Sequence, residues 1–231
     1  MLISDIHTHT VYSHGKGTPE ENVLAAINVG LKRVAICEHA PGHVFYGVRG
    51  EKLLRLKDEV EQLKQKYAFQ IEVLFGLECD LLGFGESDIP EQGFCDVVAL
   101  GFHKGFIPKD SYGVKASLQL LGIGKNPKLN AEAIVECIKK HKITFISHPS
   151  LYIPMSIEPL AIASAEYGVP LEINGSRVTM SNEDLIRAKE LGASFIINSD
   201  AHRPGKVGRC DLAIDAALRA EVLDRVVNYE Q

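Results

Sequence analysis

Short, almost unbroken apolar runs alternate along the chain with longer stretches whose apolar residues recur every three or four positions. The runs read as buried strands, the stretches as amphipathic helices. Strands are predicted at 2–3, 33–37, 71–77, 96–102, 143–147, 169–174 and 194–199. A first helix opens at Thr18-Pro19-Glu20-Glu21, a cap residue, a proline and two acids, and ends near Gly30. A charged helix over about 51–67 carries Leu53, Leu54, Leu56, Val60 and Leu63 on its apolar side. Further helices are predicted at 130–140, 157–167, from Ser181 to Gly192, and from about 207 onward. The segment 104–127 is broken by glycine and proline. It reads as an irregular excursion over the site, helical at most around 115–121. Seven strand-then-helix units predict an α/β fold, a parallel sheet covered by helices and closed or nearly closed into a barrel. No composition break divides the chain, so residues 1–231 are expected to form one domain.

The polar residues at the strand ends carry the candidate chemistry. His7 and His9 close the first strand, and residues two apart in a strand share a face. A His-x-His pair alone also occurs as buried structure. Here histidine recurs: Glu38-His39, Glu78, His103, His148, and Asp200 with His202 close other strands, and His14 lies in the first loop. Seven of the nine histidines fall at or just beyond strand ends. In parallel barrels those ends share one rim, where the chemistry sits. Imidazoles and carboxylates gathered there are a metal-ligand set.

Composition narrows the class. The net charge is −5 with no block of Lys and Arg, which disfavours nucleic-acid binding. No apolar run is long enough to span a bilayer, and the first residues lack a signal-peptide pattern. Five scattered cysteines without a C-x-x-C pair read as buried reduced thiols, so a cytoplasmic protein is expected. Cys37 and Cys79 neighbour candidate ligands and are expected to face away from them.

The stretches Asp5-Ile6-His7-Thr8-His9, Glu38-His39, Gly76-Leu77-Glu78, Gly101-Phe102-His103, Ser147-His148-Pro149, Leu171-Glu172-Ile173-Asn174 and Asn198-Ser199-Asp200-Ala201-His202 together resemble the PHP (polymerase and histidinol phosphatase) family. The similarity is to its compact stand-alone phosphatases with three metals. It implies a distorted (β/α)7 TIM-like barrel holding three divalent ions at the C-terminal ends of the strands, zinc foremost, with manganese or iron as other occupants. Carried over residue by residue, His7, His9, Glu78 and Asp200 would hold one metal. Glu78, His103 and His148 would hold a second, and His14, His39 and His202 a third. Three divalent ions against Glu78 and Asp200 leave a formal charge of about +4, suited to a phosphate.

The implied reaction is hydrolysis of small phosphate monoesters by a hydroxide that two metals share, with Glu78 and Asp200 holding those metals. Arg177 and Arg203 are candidate donors to the phosphoryl oxygens. His43, Tyr46 and Arg49 could shape the entrance, and Glu172 could orient a ligand; His141 is given no role. Within this class histidinol-phosphate phosphatase and protein phosphotyrosine phosphatase stay open. The rival classes are a phosphodiesterase or 3'-5' exonuclease, a non-catalytic metal-binding module and, on fold grounds, an amidohydrolase. The expected partner is a small phosphorylated substrate, with neither nucleic acid nor membrane; the sequence is silent on oligomeric state.

Overall fold

Seven parallel strands stand side by side in the computed structural model, which describes residues 1–230. They are β1 (Ser4–Asp5), β2 (Arg33–His39), β3 (Glu72–Gly83), β5 (Val97–Gly101), β6 (Phe145–Ile146), β7 (Leu171–Asn174) and β8 (Phe195–Asn198), adjacent in that order. The short β4 (Glu86–Ser87) pairs antiparallel with the far end of β3. Helices α1 (Pro19–Asn28), α2 (Gly50–Tyr67), α3 (Ser111–Leu120), α4 (Pro127–Lys140), α5 (Ile157–Tyr167), α6 (Asn182–Glu190) and α7 (Asp211–Arg219) lie outside. The result is the nearly closed barrel that the alternation predicts, distorted as the family resemblance implies. No described helix is long and apolar enough to cross a membrane.

The core has two parts. A small inner cluster of Ile6, Ala35, Cys37, Val97, Ala99, Phe145 and Ile196, with Leu74 against it, plugs the barrel. A larger outer cluster packs the sheet against its helices. The two-residue period of the strands carries this inward face up to the rim. Two or four residues beyond the inner plug on the same strand faces come His39, Glu78, Gly101, Ser147 and Asn198. His39, Glu78 and, two past Gly101, His103 therefore continue the inward register, while His7, His9 and His148 fall one residue out of step with Ile6 and Phe145. Cys37 belongs to the inner plug, two residues below His39, rather than facing away; Cys79 lies in the outer cluster as expected.

Some elements depart from their predicted bounds. β3 runs past Glu78 to Gly83 and turns into the β4 hairpin, where a loop was expected. The Asp88 carboxylate accepts the Asp80 N–H at 2.7 Å and the Gly42 N–H at 2.6 Å, pinning the hairpin to the loop after β2. α3 starts earlier than expected because Asp110 caps it, accepting the Gly113 N–H at 2.7 Å. α4 starts at Pro127 because Asn126 does the same for Leu129.

Between β1 and β8 no continuous ladder forms. At the lower end the C-terminal tail enters the gap. Asn228 Nδ2 donates to Ser4 O and Ile197 O, and its Oδ1 accepts the Ile197 N–H. Higher up, Asn198 Oδ1 accepts the Ile6 N–H at 2.9 Å, and Asp5 accepts the Ser199 and Gly208 N–H groups. At the top the backbone pairing resumes, with His9 N–H donating to Ala201 O at 2.8 Å.

Candidate metal centre

One carboxylate organises the rim. Glu78 stands mid-strand on β3, 1% exposed. Its Oε1 lies 3.1 Å from His7 Nε2, 3.1 Å from His103 Nε2 and 2.8 Å from His148 Nε2. Its Oε2 lies 3.4 Å from His9 Nε2 and 3.2 Å from His39 Nδ1. Asp200 Oδ1 approaches His9 Nε2 at 3.3 Å and His7 Nε2 at 3.7 Å. His14 Nε2 and His202 Nε2 meet at 2.8 Å, and the His14 ring stacks 5.0 Å from that of His39. The nine residues singled out in the sequence thus converge on one place.

The groupings differ slightly from those implied by resemblance. Potential ligand atoms cluster as His7-His9-Asp200, His7-Glu78-His148, His39-Glu78-His103 and His9-His14-His39. Around the third position His9 joins His14 and His39, while His202 reaches the group through His14.

Behind the histidines lies a layer of carboxylates, two of which fix a ring by a hydrogen bond. His7 Nδ1–H donates to Glu172 Oε1 at 2.8 Å, and His103 Nδ1–H to Asp80 Oδ1 at 2.6 Å. His9 Nδ1 lies 3.5 Å from Glu38, which also accepts the Thr10 N–H at 2.7 Å and the Thr10 and Ser13 hydroxyls. Glu172 is fully buried and also accepts from the His148 N–H, Asn174 Nδ2 and Asn198 Nδ2. The sequence named Glu172 as an orienting residue; Asp80 and Glu38 went unnoticed in that role. Asp80 follows Glu78 at the same two-residue step that links His7 to His9, and that spacing was the available signal.

These bonds make a test of whether the site fits a metal. With Nδ1 donating, Nε2 of His7 and of His103 presents a lone pair, aimed at a carboxylate oxygen. The Nε2 atoms of His103 and His148 lie 3.0 Å apart, and those of His7 and His9 3.3 Å. Lone pairs facing lone pairs and carboxylates repel unless a cation lies among them. The buried nitrogen His39 Nδ1 has no hydrogen-bond partner among the described residues and lies 3.2 Å from Glu78 Oε2. A metal among the inward-facing nitrogens and the carboxylates satisfies this donor set, and protons are the substitute. Burial pushes His103 down, but Glu78 and Asp80 outweigh it and lift it to about 10. His7 and His9 are raised in the same way, against burial, by Glu78, Asp200 and their backing carboxylates. His39 falls well below its usual range, by burial first and then by its histidine neighbours.

The backbone is strained at the same place. His148 has φ +27° and Asp200 φ +51°, the left-handed region that side chains avoid. Gly101 has no room for a side chain: a Cβ there would meet Ser147 Oγ at 2.3 Å and the Cε1 atoms of His103 and His148 at 3.2 Å.

Above the histidines opens a cavity of about 260 Å³, walled by His43, Phe45, Tyr46, Lys104, Leu151 and Tyr152. His43 and Tyr46 shape the entrance, and Arg49 holds their loop by donating to Pro41 O and His43 O. Arg177 and Arg203 are exposed and do not line the cavity; the cation that does is Lys104. His141 sits at the opposite end of the barrel, beside Lys140 and Lys142.

A family model described as the PHP domain matches residues 5–153. A probable phosphatase of Thermoanaerobacter sp. (strain X514) is 29% identical over 245 residues, covering 98% of this chain and 89% of that protein. A probable phosphatase of Shewanella sp. (strain MR-4) is 32% identical over 225 residues, covering 91% and 80%. Among solved structures, histidinol phosphate phosphatase from Lactococcus lactis subsp. lactis, complexed with zinc, L-histidinol and phosphate, matches with a TM-score of 0.64 at 19% identity. That match covers 94% of this chain and 91% of the other, and speaks for the fold.

Proposed function

The chain belongs to the PHP domain family and is a hydrolase of the phosphoesterase kind; from that premise we propose that it hydrolyses small phosphate monoesters with three divalent metals, zinc foremost. His7, His9, His14, His39, Glu78, His103, His148, Asp200 and His202 would hold them. The observation that carries this reading is Glu78, one buried carboxylate with five imidazoles around it. Bound there, the ions would acidify water and draw charge off the phosphoryl oxygens.

The chain's own contribution is placement. Glu172 and Asp80 hold the His7 and His103 rings so that Nε2 of each faces inward, and Glu38 stands 3.5 Å behind His9 Nδ1. Asn174 Nδ2 donates to Asp200 Oδ2 at 3.2 Å and keeps the other oxygen turned to the histidines. The carboxylates behind the rings also alter the charge. With Glu38, Asp80 and Glu172 beside Glu78 and Asp200, three divalent ions leave about +1 rather than about +4. The site draws one phosphoryl group without an indiscriminate positive field.

Metal content of the purified protein, together with assays of p-nitrophenyl phosphate, bis-p-nitrophenyl phosphate and single-stranded DNA with each metal restored, tests the proposal. Monoester turnover is expected, abolished by chelation and by His103→Ala or Asp200→Ala. DNA digestion without monoesterase activity would overturn it.

A further inference from the structure

The cavity mouth has a chemistry of its own. Phe45 and Tyr46 stand on the loop after β2, Lys104 on the loop after β5, and Leu151 and Tyr152 on the loop after β6. Tyr46 stacks on His14 with ring centroids 4.3 Å apart and planes at 15°. Tyr152 stands edge-on to His148, 6.3 Å away at 88°. Phe45 lies over Gly105, where a Cβ would come within 2.5 Å of the ring, so only glycine fits there at φ +87°. The Val44 N–H donates to Gly105 O at 2.6 Å and ties the two loops together. The rings are therefore held from below, while Phe45 stays 73% exposed at the opening.

Charge is distributed unevenly between floor and mouth. The carboxylates that line the cavity, Glu78 and Asp200, lie on its floor among the histidines. Lys104 is the one charged side chain of the outer wall. Its Nζ lies over the Tyr152 ring, 5.5 Å from the centroid, and makes no ion pair among the described residues. Aromatic walls can attract a ligand cation. Here the chain's own ammonium already occupies that position, and an amine would meet like charge with no carboxylate to offset it. A ring bearing an anionic group would find stacking surface and an unpaired cation together. The volume of about 260 Å³ lies below ordinary small-molecule sites, which begin at roughly 300 Å³. With a phosphoryl group on the floor, the walled part has room for about one ring, and anything larger would extend past Phe45 into solvent.

We infer that the preferred leaving group is a flat aromatic ring carrying negative charge, stacked among Phe45, Tyr46 and Tyr152 and paired with Lys104. The inference rests on the phosphatase reading and names the substrate class for that site. Lys104 is a specificity-determining residue, not part of the bond-breaking machinery.

A matched pair of substrates tests it: 4-carboxyphenyl phosphate and 4-(aminomethyl)phenyl phosphate, with phenyl phosphate as the neutral reference. At low salt the metal-loaded protein should favour the carboxylate over the amine by about tenfold in kcat/KM, the scale of one partly screened charge pair. Lys104→Glu should invert that ratio while changing phenyl phosphate by less than about threefold, since intrinsic reactivities cancel between variants. Tyr152→Leu should lower kcat/KM for phenyl phosphate several-fold more than for glycerol phosphate. A ratio that Lys104→Glu leaves untouched overturns the inference. So does an equal loss on all three aryl esters, which would assign Lys104 to the phosphoryl group instead. Those outcomes leave the phosphatase reading standing, whereas absence of turnover on every monoester removes both.

Discussion

Glu172→Gln is the sharpest probe of how the scaffold holds its ligands. Glu172 bonds four donors in a fully buried setting: His7 Nδ1–H at 2.8 Å and Asn198 Nδ2 at 3.0 Å on one oxygen, His148 N–H at 2.9 Å and Asn174 Nδ2 at 3.0 Å on the other. Glutamine keeps the shape but turns one oxygen into a donor, so two of the four partners face an NH2 group. The asparagines cannot flip to compensate. Asn198 Oδ1 holds the Ile6 N–H, and Asn174 Oδ1 holds the Ser176 and Arg177 N–H groups. A hydrogen bond to a charged group contributes about 1.5–3 kcal/mol, so the gross loss is roughly 3–6 kcal/mol. Removing a buried charge returns part of that, leaving a net cost of about 2–4 kcal/mol. For a chain of this size the melting temperature of the metal-free protein should fall by about 5–15 °C. Metal affinity should fall about 10–100-fold, because either the His7 Nδ1–H or the His148 N–H loses its acceptor. Calorimetry on metal-free protein and competition with a chromogenic zinc chelator read the two effects separately. A variant that melts within a degree of the parent and binds zinc equally well would refute the reasoning.

Three further outcomes are expected. Gly101→Ala forces Ser147, His103 and His148 apart, so zinc affinity should drop with a stability loss of about 1–3 kcal/mol by urea unfolding; unchanged affinity counts against close packing there. Burial first, with Asp80 adding, lifts Asp88 to about 6 from 3.8, so the stability this group contributes is full below about pH 4 and drains as pH rises through about 6. Asp88→Asn should therefore flatten the metal-free protein's stability between those values, and equal pH slopes for parent and variant contradict this. Asn228→Ala leaves the Ile197 N–H without its acceptor at the seam, costing about 2–4 kcal/mol by denaturant titration and weakening metal binding with it; a loss of stability alone would separate seam from site.

How much of this was legible in the sequence depends on range. The strands could be read because each is a local apolar run, and most of the candidate ligands because they follow such a run, although β3 continues past Glu78 and His14 lies in a loop. Arg33–His39 and Leu171–Asn174 fall nearly where the pattern puts them. The β3–β4 hairpin could not be read, since it depends on Asp88 reaching Gly42 and Asp80, contacts 46 and 8 residues away. Arg177, after Asn174-Gly175-Ser176, and Arg203, directly after His202, are candidates by residue type, and type does not say which way a side chain leaves the rim. Lys104 stood beside His103 in the same manner and was passed over. Cys37 faces inward because His39, two residues on, shares its face, whereas Cys79 directly follows Glu78 and faces the other way.

The site lies where the barrel closes, which explains why so many buried polar residues accompany it. His7 and His9 follow β1, Asp200 and His202 follow β8, and no continuous ladder sets the distance between those strands. Asp5, Asn198 and Asn228 set it instead, each bonding backbone across the seam. Side-chain bonds can fix a spacing that a parallel ladder would not give, and they hold Asp200 in a left-handed conformation that costs energy by itself. The same arrangement places Glu172, Asp80 and Glu38 behind the rings, where together with Glu78 and Asp200 they would offset about five of the six charges that three divalent ions would bring. Discrimination between substrates then cannot come from a strongly positive floor, which would grip any phosphate alike. It has to come from the mouth, where Lys104 and three aromatic rings face whatever the phosphate carries.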